Sequence, residues 1–184
     1  MGNPLTTIGF DADDTLWHNE RFFALTQVKF AELLADYTDR DSLMDRLRDM
    51  LAHPVELLPD VRETLETLQD DYRLVLVTKG DLLDQERKLA ESGLRDMFTA
   101  IEIVSDKTPQ TYQRIFDTHG DGPARGMMIG NSMKSDVVPM IHAGGHGVYI
   151  PHGVTWALEH APAPSDSPRF HQITRLSEVA ELLP

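Results

Sequence analysis

Polar residues follow four short apolar runs of the chain, and their types suit chemistry on an anionic group. In chain order they are Asp11-Ala12-Asp13-Asp14-Thr15, Thr78-Lys79, Ser105-Asp106-Lys107-Thr108 and Gly130-Asn131-Ser132-Met133-Lys134-Ser135-Asp136. Clustered carboxylates repel one another unless a cation lies among them, and hard oxygen ligands with room for water suit Mg²⁺. A hydroxyl and an ammonium beside such an ion would bind the oxygens of a phosphoryl group. If the four groups converge, they predict metal-assisted phosphoryl transfer.

The apolar runs that precede these groups predict the strands of a parallel sheet. They are short and lack polar alternation, as buried strands do, and they cover residues 7–10, 74–77, 101–104 and 127–129, with a fifth at 147–150. Amphipathic segments at helical spacing lie between them, and a last short helix is expected at 176–183. Strands alternating with helices indicate βαβ units and an α/β fold. Because ligands of open parallel sheets bind at the carboxyl ends of the strands, the four polar groups should share one crevice.

One stretch interrupts the alternation of strands and helices. From about His18 to Leu58 there is no strand signal, and apolar residues at helical spacing predict two helices instead. A helical insertion after the first strand would lie above the strand ends. The sequence therefore predicts a core formed by residues 1–16 and 59–184, with a small helical cap at residues 17–58.

The order of the four groups resembles the four signatures of the haloacid dehalogenase-like hydrolase superfamily, and the resemblance runs from Ile8 to Ile150. It implies a Rossmann-like three-layer sandwich, with a mainly parallel sheet and a cap inserted after the first strand. By the same resemblance Asp11 is the nucleophile and Asp13 is the general acid/base. Thr78 would bind the phosphoryl group, and Lys107 matches the basic residue of the third signature.

The resemblance also implies Mg²⁺ as cofactor. Its ligands would be Asp11, Asp136 and the backbone carbonyl of Asp13, with Asn131 beside them. The phosphoryl group would contact the chain at Ala12, Asp13, Thr78, Lys79 and Lys107. The expected substrate is a small phosphorylated metabolite.

Two features depart from the pattern of the superfamily. The fourth signature usually begins Gly-Asp, whereas this chain has Gly130-Asn131. An asparagine offers a carbonyl oxygen without charge, so Asp136 would carry more of the metal affinity. The stretch available for a cap is also shorter than a usual four-helix cap, which suggests a more open site and leaves the substrate undefined.

Several reactions remain open on the same core. Phosphomonoester hydrolysis through an aspartyl-phosphate is favoured, because metal-free 2-haloacid dehalogenases lack the acid that Asp13 supplies. Phosphoglucomutase-like transfer would use the same residues. A non-catalytic phosphate- or protein-binding module is the alternative of another class, and its only support is Asn131.

Composition limits the class of protein further. The 184 residues include 17 Lys and Arg against 30 Asp and Glu, which gives a formal charge of −13, and no cysteine. A surface this acidic should repel nucleic acid and anionic membranes, and the lack of cysteine excludes a thiol nucleophile. No apolar run approaches the ~20 residues of a membrane span, and the first residues lack the features of a signal peptide. We therefore expect a cytoplasmic protein, with monomer and homodimer equally open.

Overall fold

A six-stranded parallel sheet forms the centre of the protein. The computed structural model describes residues 4–19, 25–26, 28–30, 32, 54–153 and 161–183. The strands are β1 Thr7–Phe10, β2 Arg73–Lys79, β3 Ala100–Val104, β4 Gly126–Gly130, β5 His146–Tyr149 and β6 Phe170–Gln172. Their order across the sheet is β3-β2-β1-β4-β5-β6, and every neighbouring pair is parallel. The α/β fold and the five predicted strands are confirmed. The three-residue β6 was not predicted, because it is too short and too polar to give an apolar run.

Helices connect the strands of the sheet, as the periodicity predicted. In the described residues they are α1 Val61–Leu68, α2 Leu82–Ser92, α3 Pro109–His119 and α4 Val138–His142. A π-helical turn, Met133–Val137, leads into α4, and 3₁₀ turns cover Arg95–Met97, Pro123–Arg125 and Leu176–Leu182. The last of these takes the place of the predicted C-terminal helix. Residues 25–26, 28–30 and 32 are helical, while most of the predicted cap lies outside the described residues.

Local signals explain where α2 and α3 begin and end. The side chain of Asp81 accepts a hydrogen bond from the backbone N–H of Asp84, and α2 stops at Gly93, which has a left-handed φ of 64°. Thr108 caps α3 in the same way, with Pro109 as its first residue. Both helices therefore start directly beyond the carboxyl end of a strand, which places their first turns beside the crevice.

Two apolar clusters fill the space on either side of the sheet. Alternate residues of β2 show the division, because Leu74 and Leu76 belong to one cluster and Val75 and Val77 to the other. The first cluster packs under α1 and α2, and the second packs under α3 and α4. This is the three-layer arrangement that the resemblance implied. Among the described residues, no helix is long and apolar enough to cross a membrane.

The face that α2 buries differs from the one its leucines suggest. Two leucines of its first turn, Leu82 and Leu83, are 55% and 74% exposed. The residues that α2 buries are Gln85, Leu89 and Ser92. A polar side chain, Gln85, therefore lies on the inner face of this helix, near the carboxyl ends of β1 and β2.

Candidate active site

Three residues from different strand ends meet in one buried group, which we call the strand-end cluster: Asp11, Lys107 and Asp136. Asp11 follows β1, Lys107 lies beyond β3, and Asp136 lies in the π-helical turn after β4. The Lys107 ammonium donates hydrogen bonds to a carboxylate oxygen of Asp11 and, at 2.7 Å, to Oδ1 of Asp136. The side chains are 3%, 10% and 1% exposed for Lys107, Asp11 and Asp136. The parallel sheet thus joins residues that lie far apart in the sequence.

The electrostatics of the strand-end cluster favour a further cation. Burial raises the pKa of Asp11 to about 7; Lys107 opposes this rise and Asp136 adds to it. Burial alone would lower the pKa of Lys107, but the two carboxylates outweigh burial and raise it. With both carboxylates ionised, the single ammonium leaves a net negative charge, and the raised pKa of Asp11 shows that burial opposes this charge. A divalent cation would compensate that charge.

Hydrogen bonds from the neighbouring backbone and side chains hold the two carboxylates in place. Thr15 Oγ1 donates to Oδ2 of Asp11 at 3.1 Å and accepts from the N–H of Asn131 at 3.1 Å. The N–H of Ser132 donates to Oδ2 of Asp136 at 2.9 Å. Each carboxylate therefore binds the Lys107 ammonium through one oxygen and a fixed donor through the other, which is the kind of support that a precise site requires.

Gly130 is needed for the close approach of Asp136. A Cβ at this position would lie 2.2 Å from Oδ2 of Asp136, far inside van der Waals contact. Glycine is thus required at this position for steric reasons, whichever residue follows it. The sequence pattern drew attention to Asn131. The position of the Asp136 carboxylate depends equally on Gly130.

The chain turns tightly after Asp11, and Asp13 lies in that turn. The carbonyl of Ala12 accepts a hydrogen bond from the N–H of Leu16 at 2.8 Å, and the N–H of Asp14 donates to the carbonyl of Trp17 at 2.7 Å. Asp14 has a left-handed φ of 59°, which is uncommon outside glycine. The turn brings Trp17 back towards the sheet, where its side chain is only 1% exposed.

Asp13 binds a separate set of side chains, which we call the helix clamp: Trp17, Gln85 and Lys88. Its Oδ1 accepts from the Trp17 indole at 2.8 Å and from the Lys88 ammonium at 3.1 Å. Its Oδ2 accepts from the Gln85 amide at 2.9 Å and from Lys88 at 3.3 Å. Gln85 and Lys88 were not predicted from the sequence, and residue 17 was placed only in the cap. A signal for Gln85 existed, because it lies four residues before the buried Leu89 on the same helix face.

Thr78 and Lys79 lie at the end of β2, between the two groups. Thr78 is buried, and its hydroxyl donates to Oε1 of Gln85 at 3.2 Å. Gln85 therefore connects Thr78 to Asp13. Lys79 is exposed, and its ammonium bonds Oγ of Ser135 at 3.3 Å, one residue before Asp136.

The donor set of the strand-end cluster fits Mg²⁺. Within the described residues, no three acidic or histidine side chains are grouped to hold a metal ion. Asp11 and Asp136 supply two carboxylates, and the resemblance adds the backbone carbonyl of Asp13 and the amide of Asn131 as expected ligands. Mg²⁺ is commonly held by one or two carboxylates and keeps several waters, so two carboxylates are enough.

Known proteins match the chain over much of its length. A model of the haloacid dehalogenase-like hydrolase family matches residues 28–144. A haloacid dehalogenase-like family hydrolase from Xanthomonas campestris superposes with a TM-score of 0.80 at 32% identity, covering 98% of this chain and 95% of that chain. A putative hydrolase of the same class from Bacillus subtilis, bound to magnesium, superposes with a TM-score of 0.67 at 17% identity over 98% of this chain and 99% of that chain. The latter likeness concerns the fold alone.

A curated relative matches part of the chain. The N-acylneuraminate-9-phosphatase of Mus musculus is 28% identical over 93 residues, which are 48% of this chain and 38% of that protein. The chain therefore spans about two fifths of the length of this relative.

Proposed function

The chain belongs to the haloacid dehalogenase-like hydrolases, and from that membership we propose that it is an Mg²⁺-dependent phosphomonoester hydrolase acting through an aspartyl-phosphate on Asp11. One observation carries the proposal: the buried Lys107 ammonium bonds Asp11 and Asp136 together. A buried nucleophile, a cation and a second carboxylate at one crevice are the parts that phosphoryl transfer requires.

The reaction divides between the two regions of the site. An oxygen of Asp11 attacks phosphorus, and the bond from phosphorus to the leaving oxygen breaks. Asp13 enters this step protonated and transfers its proton to the leaving oxygen. Water then attacks the aspartyl-phosphate while Asp13 takes a proton from it, which releases inorganic phosphate and restores Asp11. Mg²⁺, when bound, neutralises charge on the phosphate and on Asp11.

The other residues bind and orient the phosphoryl group. Lys107 lies against Asp11, so it would balance the charge of the nucleophile and of the phosphate oxygens. Thr78 would donate its hydroxyl proton to a phosphate oxygen in exchange for its bond to Gln85. Backbone N–H groups of Ala12, Asp13 and Lys79 would complete the contacts.

The substrate proposed is a small phosphorylated metabolite. The partial similarity to an N-acylneuraminate-9-phosphatase supports a phosphate monoester as the substrate class. It makes a sugar acid phosphate a reasonable member of a test panel. The acidic charge of −13 is compatible with an anionic substrate, because the positive groups are local to the site.

The test is a hydrolysis assay on p-nitrophenyl phosphate and a panel of metabolite phosphates, with Mg²⁺ and with EDTA. We expect activity with Mg²⁺, loss of activity in EDTA, and loss in Asp11→Asn. Asp117→Asn, at an exposed carboxylate of α3, is the matched control and should retain activity. Retention of activity in Asp11→Asn would disprove the role of Asp11, and no hydrolysis of any phosphate would disprove the function.

A second assay separates the dehalogenase alternative. Release of chloride from 2-chloropropionate without metal would favour attack on carbon. We expect none, because Asp13, the acid that metal-free dehalogenases lack, is present and is held in the turn that follows Asp11.

A further inference from the structure

Lys88 is the one member of the helix clamp that contacts both oxygens of Asp13. Its ammonium lies 3.1 Å from Oδ1 and 3.3 Å from Oδ2. Its side chain is only 13% exposed, and that of Asp13 is 23% exposed. This contact is therefore more enclosed than an ordinary surface ion pair, and it crosses from α2 to the loop after β1.

The same ammonium also binds two neighbours that fix its own position. It donates to Oδ1 of Asn19 at 2.8 Å and lies 3.0 Å from Oδ2 of Asp84, one turn earlier on α2. An ammonium has three protons, so Asp13, Asn19 and Asp84 use its full donor capacity. Asn19 in turn donates its N–H to Asp14 at 2.9 Å. Lys88 is thus held at a defined point between α2 and the loop of residues 13–19.

An acid that must reach a leaving oxygen gains from being held in one orientation. Misplacing a reacting group by about 1 Å can cost about 100-fold in rate. Asp13 lies in a turn rather than in a strand, so the backbone of the sheet does not fix its side chain. The three side chains of the helix clamp supply that constraint, and two of them come from α2.

We propose that Lys88 is a positioning residue that orients the Asp13 carboxyl group for proton transfer to the leaving oxygen. This inference rests on the proposed phosphatase function. It assigns a role to a residue that lies outside the four signatures. Lys88 itself would touch neither the phosphoryl group nor the reacting atoms.

The competing explanation is that Lys88 only attaches α2 to the loop. A merely structural ion pair would lower activity on all substrates alike, through loss of the folded or ordered state. A positioning role has a different signature, because the need for an acid depends on the leaving group. p-Nitrophenolate leaves readily without a proton, whereas the more basic phenolate of phenyl phosphate needs one.

The experiment compares kcat/KM for phenyl phosphate and p-nitrophenyl phosphate in the wild type, Lys88→Met and Asp13→Asn. For Lys88→Met we expect a loss of about 30-fold on phenyl phosphate and of less than about threefold on p-nitrophenyl phosphate. Asp13→Asn should show the same selectivity with larger losses. Arg114→Met removes a cation from another carboxylate, Glu102, at an exposed site, and both values should stay at the wild-type level.

The outcomes separate this inference from the function on which it rests. Equal losses on the two substrates, or no loss on either, would overturn the role of Lys88 while leaving the phosphatase function intact. An inactive wild type would overturn both. If circular dichroism shows that Lys88→Met does not fold, kcat/KM for the two substrates is measured with Lys88→Gln instead, and the same selective loss on phenyl phosphate is required. Failure of both variants to fold would make Lys88 a structural residue and would also overturn the inference.

Discussion

Asp11 and Asp13 are two residues apart, yet they lie in opposite surroundings. Asp11 belongs to the strand-end cluster, whose partners come from the ends of β3 and β4 and whose side chains are at most 10% exposed. Asp13 is held by the helix clamp, two of whose three residues come from α2, and its side chain is 23% exposed. The sheet therefore fixes the first carboxylate, while a neighbouring helix fixes the second.

The difference corresponds to what each carboxylate is proposed to do. A nucleophile must be held against a phosphoryl group and a metal ion, and rigid strand ends are suited to this. An acid and base must exchange protons with a leaving group and with water, so partial exposure is appropriate. The comparison predicts that changes in the strand-end cluster cost more stability than equivalent changes in the helix clamp.

The largest effect is expected for Lys107→Met. Removing the ammonium leaves two buried carboxylates facing each other, which should lower the free energy of unfolding by about 3–5 kcal/mol and abolish activity. Urea unfolding in EDTA measures the loss, and added Mg²⁺ should recover part of it by replacing the missing charge. Lys88→Met makes the same charge change in the less buried helix clamp and should cost less, about 1–2 kcal/mol. Similar losses in both variants would contradict the comparison.

A smaller effect is expected for Gly130→Ala. The new Cβ must displace the Asp136 carboxylate, because it would lie 2.2 Å from Oδ2. Overpacking of this kind costs about 1–3 kcal/mol. Calorimetric titration should also show weaker binding of Mg²⁺, since Asp136 is a proposed ligand. Wild-type stability together with wild-type Mg²⁺ affinity would mean that the carboxylate moves aside without cost.

The strand-end cluster could be predicted from the sequence because each of the four signatures follows a predicted strand. Each polar residue of this cluster follows a predicted apolar run, and the rule that ligands bind at the carboxyl ends of parallel strands was enough to bring them together. The five longer strands and the helices between them were predicted for the same reason. The roles assigned to Asp11, Lys107 and Asp136 remain proposals.

The spacing of Gln85 from Leu89 was a local signal for one member of the helix clamp, but the clamp as a whole depends on how α2 is rotated about its axis. The exposed leucines at the start of α2 suggested an apolar face, whereas the helix turns Gln85 inward beneath Thr78. No local pattern shows that Lys88 reaches a carboxylate 75 residues earlier in the chain. Such contacts follow from the packing of α2 on the sheet, and periodicity alone does not determine which polar side chains end up facing inward.

A third prediction concerns Gln85, which links Thr78 to Asp13. Gln85→Leu leaves a buried hydroxyl and a carboxylate oxygen each without one partner, and the expected loss is about 1–2 kcal/mol with reduced activity. Gln113→Leu is the matched control, since Gln113 also bonds a carboxylate, that of Asp117, at 2.8 Å but on the exposed side of α3. The control should change stability by less than about 0.5 kcal/mol. Equal changes in the thermal unfolding temperature of Gln85→Leu and Gln113→Leu would show that the hydrogen bonds of Gln85 contribute no more to stability than a surface hydrogen bond does.

The smallest effect is expected at a pair of histidines remote from both regions. The rings of His146 and His171 stack with centroids 5.4 Å apart, and Nδ1 of His146 lies 3.1 Å from Nε2 of His171. Burial lowers the pKa of both imidazoles, and for His146 the neighbouring His171 and Arg169 lower it further.

Because the folded state resists protonation of these histidines, their effect on stability has a defined sign. The unfolded chain takes up protons first, near its ordinary pKa of about 6.5, so stability is retained above that pH and is lost as the pH falls below it. We expect less than about 1 kcal/mol, since both rings are partly exposed. The measurement is the urea midpoint at pH 7.5 and 5.5 for the wild type and His171→Gln, whose midpoint should shift less. An equal shift in both proteins would show that the pH dependence arises elsewhere in the chain and not at this pair.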